Sequence, residues 1–187
     1  MSGSALSGPT ISGVMPGPSD PPPLTVAVTG AGGSGAVTAG LILLEAVAAA
    51  GLYGLLRRSA GPQIRGGESA ALLRFGPAPV HCAGDRCDLL AALDWANHER
   101  FADEIPLDAD SLVLTDPAAG TPPAVVAASD AAVREVGFAE SARERDGGRA
   151  NMVAVGAAGA LAGLPLHALL EGAARTLADK GETVVSA

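Results

Sequence analysis

Leu24-Thr25-Val26-Ala27-Val28-Thr29-Gly30-Ala31-Gly32-Gly33-Ser34-Gly35 changes character halfway along. Its first six residues alternate apolar and β-branched side chains, the pattern of a buried strand, and the run stops at a cluster of glycines. Beyond the cluster, Val37, Leu41, Leu44, Val47 and Ala48 recur at helical spacing, and Gly51 stands where a left-handed C-cap is needed. Strand, tight turn and helix in that order are the opening unit of a Rossmann-like α/β domain, and Gly30, Gly32 and Gly35 fit G-x-G-x-x-G.

The rest of the chain extends this unit. Residues 52–57 read as a second strand, and Gly61-Pro62-Gln63-Ile64-Arg65-Gly66-Gly67 as a loop that no regular element accommodates. Residues 69–75 read as a third strand, followed by a turn through Gly76, Pro77 and Pro79 and a short return strand at Val80 and His81. Helices are expected at 88–96, 99–105 and 131–136, a buried strand at 111–115, and a strand or helix start at 124–128. Apolar helices at 151–162 and 166–177 close the chain, the last with Pro165 suited to a first helical turn. Strands separated by helical stretches predict a mostly parallel sheet with helices on both faces. One domain over 24–187 is expected, preceded at 1–23 by a Gly-, Ser- and Pro-rich arm whose composition cannot offset chain entropy.

Composition narrows the function. Aromatic residues are only 3% of the 187, so the core is built from Ala, Val and Leu, and few rings remain to stack on bases. A formal net charge of -8 opposes binding to a phosphate backbone or an anionic membrane. Cys82 and Cys87 are too few for a disulfide framework, and no charged leader followed by a long apolar stretch opens the chain, so a cytoplasmic protein is expected. The apolar run 37–50 is about two-thirds of a bilayer-spanning length and reads as a buried helix. A zinc site from His81, Cys82, Cys87 and His98 is disfavoured, because adjacent residues 81 and 82 point to opposite faces of a strand. Two thiols also cannot hold a cubane cluster alone.

Taken by itself, the turn of Gly30, Gly32, Gly33, Ser34 and Gly35 suits a dinucleotide, its glycines letting backbone N–H groups and a helix N-terminus face a pyrophosphate. Arg57 and Arg58, near the end of the second strand, suit a 2′-phosphate, which makes an NADP-dependent reductase the rival function. Against it, no Tyr-x-x-x-Lys or Ser/His/Asp set follows: the one tyrosine is Tyr53 and the one lysine is Lys180. A third reading is an interaction module whose glycines only let strand and helix pack closely.

Four segments carry a family resemblance. Residues 26–35 with Ala39-Gly40-Leu41-Ile42-Leu43, then Gly61-Pro62-Gln63-Ile64-Arg65-Gly66-Gly67-Glu68-Ser69, then Asp88-Leu89-Leu90-Ala91-Ala92-Leu93-Asp94, then Asn151-Met152-Val153-Ala154-Val155-Gly156 with Leu161-Ala162-Gly163-Leu164-Pro165, resemble in order and spacing the gamma module of 2-oxoacid:ferredoxin oxidoreductases. Lys180-Gly181-Glu182 is similar to that module's closing helix end. The family commonly has glutamine where Ser34 stands and glutamate where Gln63 stands, which leaves the fold intact and removes a longer amide and a carboxylate.

The resemblance implies a subunit of a complex that oxidises a 2-oxoacid to an acyl-CoA and passes electrons to ferredoxin or a similar acceptor. Thiamine diphosphate, magnesium and iron-sulfur clusters are then held by partner alpha and beta subunits, coenzyme A is a co-substrate, and this chain has no catalytic residue or metal of its own. Gly61, Pro62, Arg65, Gly66, Gly67 and Ser69 become candidates for the CoA region or the subunit interface. Arg65, flanked by small residues, either steers CoA phosphates or orders the adjoining subunit, or else pairs internally with Glu68 or Asp94. Ser69 is expected to bond locally, Asn151 to cap its helix, His167 to face solvent, and Trp95 and Phe101 to bury in the chain's own core.

Overall fold

The computed structural model describes residues 21–60, 68–95 and 98–178. Six strands form one sheet: β1 (Leu24–Ala31), β2 (Tyr53–Ala60), β3 (Glu68–Gly76), β4 (Leu89–Ala92), β5 (Leu112–Thr115) and β6 (Ala132–Glu135), in spatial order β2-β3-β1-β4-β5-β6. β1, β4, β5 and β6 pair in parallel, whereas β3 lies antiparallel between β1 and β2. β2 therefore shares the direction of β1, and β3 alone runs the other way. The mostly parallel α/β sheet expected from the sequence is present.

Three helices, α1 (Ala36–Ala49), α4 (Ala150–Leu161) and α5 (Leu166–Leu177), cover one face. They close over Val26, Val28, Leu73, Phe75 and Ala91 together with Phe138 of α3 (Phe138–Arg143). The cover on the opposite face is thinner. There Trp95, Phe101, Ile105 and Val126, from a 3-10 turn at His98–Phe101, irregular chain and the short helix α2 (Ala124–Ala127), pack on Ala27, Ala70, Leu72, Leu90 and Val113.

Small residues let the helical face close tightly. A Cβ at Gly40 of α1 would stand 2.4 Å from the Ala71 Cβ, and one at Gly172 of α5 would stand 2.5 Å from the Ile42 carbonyl oxygen and 2.7 Å from the Ala46 nitrogen. Close approach of backbones thus does the filling that large aromatics would do elsewhere. Trp95 and Phe101 sit in the chain's own core, and His167 is exposed, both as expected.

Several sequence expectations are corrected. Residues 88–96 form no helix: Leu89–Ala92 is a fully buried strand between β1 and β5. Leu and Ala are strong helix formers, but propensity is a small term and a four-residue apolar run has no period that could distinguish the two states, so sheet pairing overrides it. Residues 131–136 likewise contain the edge strand β6 instead of a helix. Val80 and His81 form no return strand, and the helix expected at 99–105 shrinks to the 3-10 turn at His98–Phe101. Residues 1–20 and 179–187, which hold most of the expected arm and the Lys180-Gly181-Glu182 match, lie outside the described residues.

Candidate functional site: the glycine turn and the strand edge around it

Crossing from β1 to α1, the chain turns through Gly33 (φ 90°) and Gly35 (φ 88°), left-handed backbone that only glycine adopts cheaply. Gly35 is the N-cap of α1, and no side chain caps that helix. The turn is tied by the Ser34 N–H to the Ala31 carbonyl at 2.9 Å. Gly30 serves close packing: a Cβ there would meet the Ser34 Oγ at 2.5 Å and the Leu93 Cβ at 3.2 Å. The Ser34 hydroxyl is buried and has no partner among the described residues. Gly32 and Gly33 are exposed at the tip.

Neighbouring elements grip this turn from two sides. After β4, the Leu93 N–H donates to the Thr29 carbonyl at 2.9 Å, and the Ala31 N–H donates to the Asp94 Oδ2 at 2.7 Å. From the other side, the Asn151 Nδ2 donates to the Gly35 carbonyl at 3.4 Å. Asn151 is not the N-cap that its position before an apolar stretch suggested. Arg149 is the N-cap of α4, and Asn151, buried one residue into the helix, turns its amide onto Gly35. Neither grip has a signal in the sequence, because Asp94 lies 63 positions beyond Ala31 and Asn151 lies 116 positions beyond Gly35.

The same edge receives the β2–β3 connection. β2 ends at Ala60, which pairs with Ser69, and β3 begins at Glu68, which pairs with Ala31 beside the turn. Both ends of the connection therefore stand at the glycine edge, and the Ser69 Oγ donates to the Gly30 carbonyl at 3.5 Å. Gly61, Pro62, Arg65, Gly66 and Gly67 lie outside the described residues, so their contacts are not stated. Next along the edge, the buried Asp116 at the end of β5 accepts the Ala118 N–H at 2.8 Å and the Ala139 N–H at 2.6 Å, joining β5 to α3.

The arginines that would mark a 2′-phosphate site are elsewhere. In the dinucleotide order the second strand borders the first, but here β3 intervenes and moves β2 to about 10 Å from β1, two strand spacings. Arg57 pairs with Glu104 at 3.7 Å and lines, with Arg74, Arg86 and Cys87, a cavity of about 20 Å³ on the thinly covered face.

His98 is buried, its Nδ1 has no partner among the described residues, and its ring meets Trp95 edge to face at 5.0 Å. Burial holds its pKa below the ordinary value, with Glu99 opposing that shift. The Trp95 Nε1 donates to the Thr115 Oγ1 at 3.0 Å. Cys82 is exposed, and the buried Cys87 thiol is pushed up to about 12, mainly by desolvation and then by Asp88. Among the described residues no three His, Cys, Asp or Glu side chains come together as a metal site, and no helix is long and apolar enough to cross a membrane.

The comparisons agree with one another. Residues 25–187 match the family model described as pyruvate ferredoxin/flavodoxin oxidoreductase. A comparison with curated proteins finds no match. Among solved structures, the chain is similar to the 2-oxoglutarate:ferredoxin oxidoreductase from Magnetococcus marinus, solved with 2-oxoglutarate, coenzyme A and succinyl-CoA bound. The TM-score is 0.73 at 25% identity, covering 89% of this chain and 29% of that one, so this chain spans under a third of that polypeptide. It is similar also to the keto/oxoacid ferredoxin oxidoreductase gamma subunit from Geobacter sulfurreducens, with a TM-score of 0.64 at 25% identity, covering 87% of this chain and 90% of the other. The pyruvate oxidoreductase subunit PORC from Thermotoga maritima shares the fold, with a TM-score of 0.63 at 20% identity over 89% and 90% of the two chains. None of these supports an NADP-dependent reductase. With its glycine turn, intervening β3 and the family match over nearly its whole length, this chain belongs to the pyruvate ferredoxin/flavodoxin oxidoreductase family.

Proposed function

We propose that the chain is the gamma component of a thiamine-diphosphate-dependent 2-oxoacid:acceptor oxidoreductase. The complex oxidatively decarboxylates a 2-oxoacid to an acyl-CoA and passes electrons to ferredoxin or a similar acceptor in the cytoplasm. Residues 24–187 form the module and 1–23 an arm. Alpha and beta subunits hold the thiamine diphosphate with its magnesium and the iron-sulfur cluster, and the difficult chemistry belongs to those groups. This chain contributes shape: Gly61, Pro62, Arg65, Gly66, Gly67 and Ser69, with the turn of Gly30, Gly32, Gly33, Ser34 and Gly35, form the surface facing the CoA region and the neighbouring subunits. No residue here breaks or makes a substrate bond.

One observation carries this reading. The antiparallel placement of β3 brings Ala60 and Glu68, which flank residues 61–67, to the strand edge that bears the glycine turn, and this supports the reading that the two matched motifs serve one surface. Arg65, on a connection rooted there, is the side chain best suited to meet a phosphate or carboxylate in two-pronged fashion.

The test is co-expression with candidate thiamine-binding subunits, followed by size exclusion and a CoA-dependent assay of 2-oxoacid oxidation with ferredoxin or a viologen dye. A joint complex with CoA-dependent turnover is expected, and a chain that stays a free monomer would count against the assignment. Arg65→Ala in the assembled complex should raise the apparent KM for CoA or weaken assembly. If neither changes, Arg65 has no such role. NADPH titrated into the isolated chain should show no saturable binding.

A further inference from the structure

We propose that the outer side of β2 is a docking edge for an extended, acidic segment of a partner polypeptide, received as a seventh strand. β2 and β6 are the two edge strands of the sheet, and they differ. β6 is four residues long and carries both signs of charge, at Arg134 and Glu135. β2 is eight residues long, has no proline, and pairs with β3 residue for residue from Tyr53 opposite Gly76 to Ala60 opposite Ser69, without a bulge. Short strands, prolines and bulges are the usual means of blunting an exposed edge, and β2 has none of them. Apart from its ladder to β3, no backbone group of Tyr53–Ala60 bonds to other backbone among the described residues. Its outer row of donors and acceptors is therefore open to another strand. Charge selects the occupant. Arg57 and Arg58 are consecutive in an extended strand, so they point to opposite faces. Arg58 is exposed and has no ion pair among the described residues. Arg57 meets Glu104 only at 3.7 Å, with 51% of its side chain exposed. One strand inward, Arg74 lies diagonally from Arg57 on the same face and donates to the Ala83 carbonyl at 2.7 Å instead of to a carboxylate. A second copy laid antiparallel on β2 about a two-fold axis would set these arginines near their own counterparts, which like-charge repulsion opposes. Carboxylates at two adjacent positions of an incoming strand would instead meet Arg57 on one face and Arg58 on the other. Main-chain bonds then supply affinity, and the two carboxylates supply selection and register. This edge is not used in the subunit assignment above, and the argument for it does not depend on that assignment.

The test uses the full chain. Two capped peptides as long as β2, built of Val and Thr around a central Glu-Glu or Lys-Lys pair, are titrated while the backbone amides of residues 53–60 are followed by NMR and hydrogen exchange. The Glu-Glu peptide should shift and protect these amides. It should bind at least about tenfold more tightly than the Lys-Lys peptide, because two exposed attractions become two repulsions. N-methylation of the alternate peptide residues that face β2 should abolish binding by blocking the ladder. Arg57→Glu with Arg58→Glu should reverse the preference; if that pair fails to fold, Arg58→Glu alone, at an exposed position without an ion pair, should narrow it. Equal binding of the two peptides, silence of these amides toward both, or an unchanged preference in the folded variant overturns the proposal. So does protection of β2 that rises with protein concentration in the absence of peptide, which would make a second copy the occupant. Assembly with thiamine-binding subunits is scored in a separate experiment, so its failure and the failure of this proposal are distinguishable.

Discussion

Gly172→Ala tests whether α5 sits on α1 as closely as described. The added methyl would lie 2.5 Å from the Ile42 oxygen and 2.7 Å from the Ala46 nitrogen, well inside ordinary contact. Both obstacles are backbone atoms of a packed helix, so no side chain can swing aside, and α5 must lift by most of an ångström. A lift of that size forfeits a quarter to a half of each contact's attraction, and overpacking of this kind costs about 1–3 kcal/mol. Alanine returns about 1 kcal/mol of helix propensity. With backbone obstacles placing the clash at the top of its range, the net loss is about 2 kcal/mol, or roughly 4–8 °C in Tm for a domain of this size. Gly156→Ala is the matched control: it also lies inside a helix, but nothing stands within 4 Å of its added Cβ. That change should stabilise by about 0.5–1 kcal/mol through propensity alone. Thermal and urea denaturation of the two variants should move in opposite directions. If Gly172→Ala melts at or above wild type, or if both fall together, the close approach of α5 to α1 is wrong.

Three further outcomes follow from individual groups. A thiol reagent should modify Cys82 in the folded chain and reach Cys87 only in denaturant, since burial pushes the latter to about 12; rapid reaction of both in the native state would contradict the packing around β4. His98 is held below its ordinary value by burial, so the folded state resists its protonation. Its contribution is therefore fully present above the unfolded value near 6.5 and is lost as pH falls below it, and urea midpoints should drop between about pH 7 and pH 5 less steeply in His98→Gln than in wild type. Asp116→Ala strands two backbone N–H groups, at Ala118 and Ala139, and should cost about 2 kcal/mol, with hydrogen exchange rising first in α3; a variant as stable as wild type would remove that tie.

How legible the molecule was in its sequence varied with the length of the signal. The β1–α1 unit was readable because eight and fourteen residues hold their periods, and α5 because Pro165 marks its start. β4 and β6, four residues each, were too short to show any period. The direction of β3 was not readable at all, because pairing and not side-chain pattern decides it, and that single choice separates this sheet from the dinucleotide order. The glycine pattern was visible, but its meaning depended on Asp94 and Asn151, which reach it only through the tertiary structure. The chemistry of residues 61–67 was suggested by resemblance alone, and those residues lie outside the described ones.

The antiparallel strand has an evolutionary corollary. A connection whose two roots are neighbouring strands, at Ala60 and Glu68, closes like a hairpin, and the entropy of closing it grows only slowly with length. Residues can be added or removed between those roots without shifting the register of any strand. The scaffold thereby separates inheritance of the sheet from variation at its rim, letting descendants retune what they meet while the architecture stays constant.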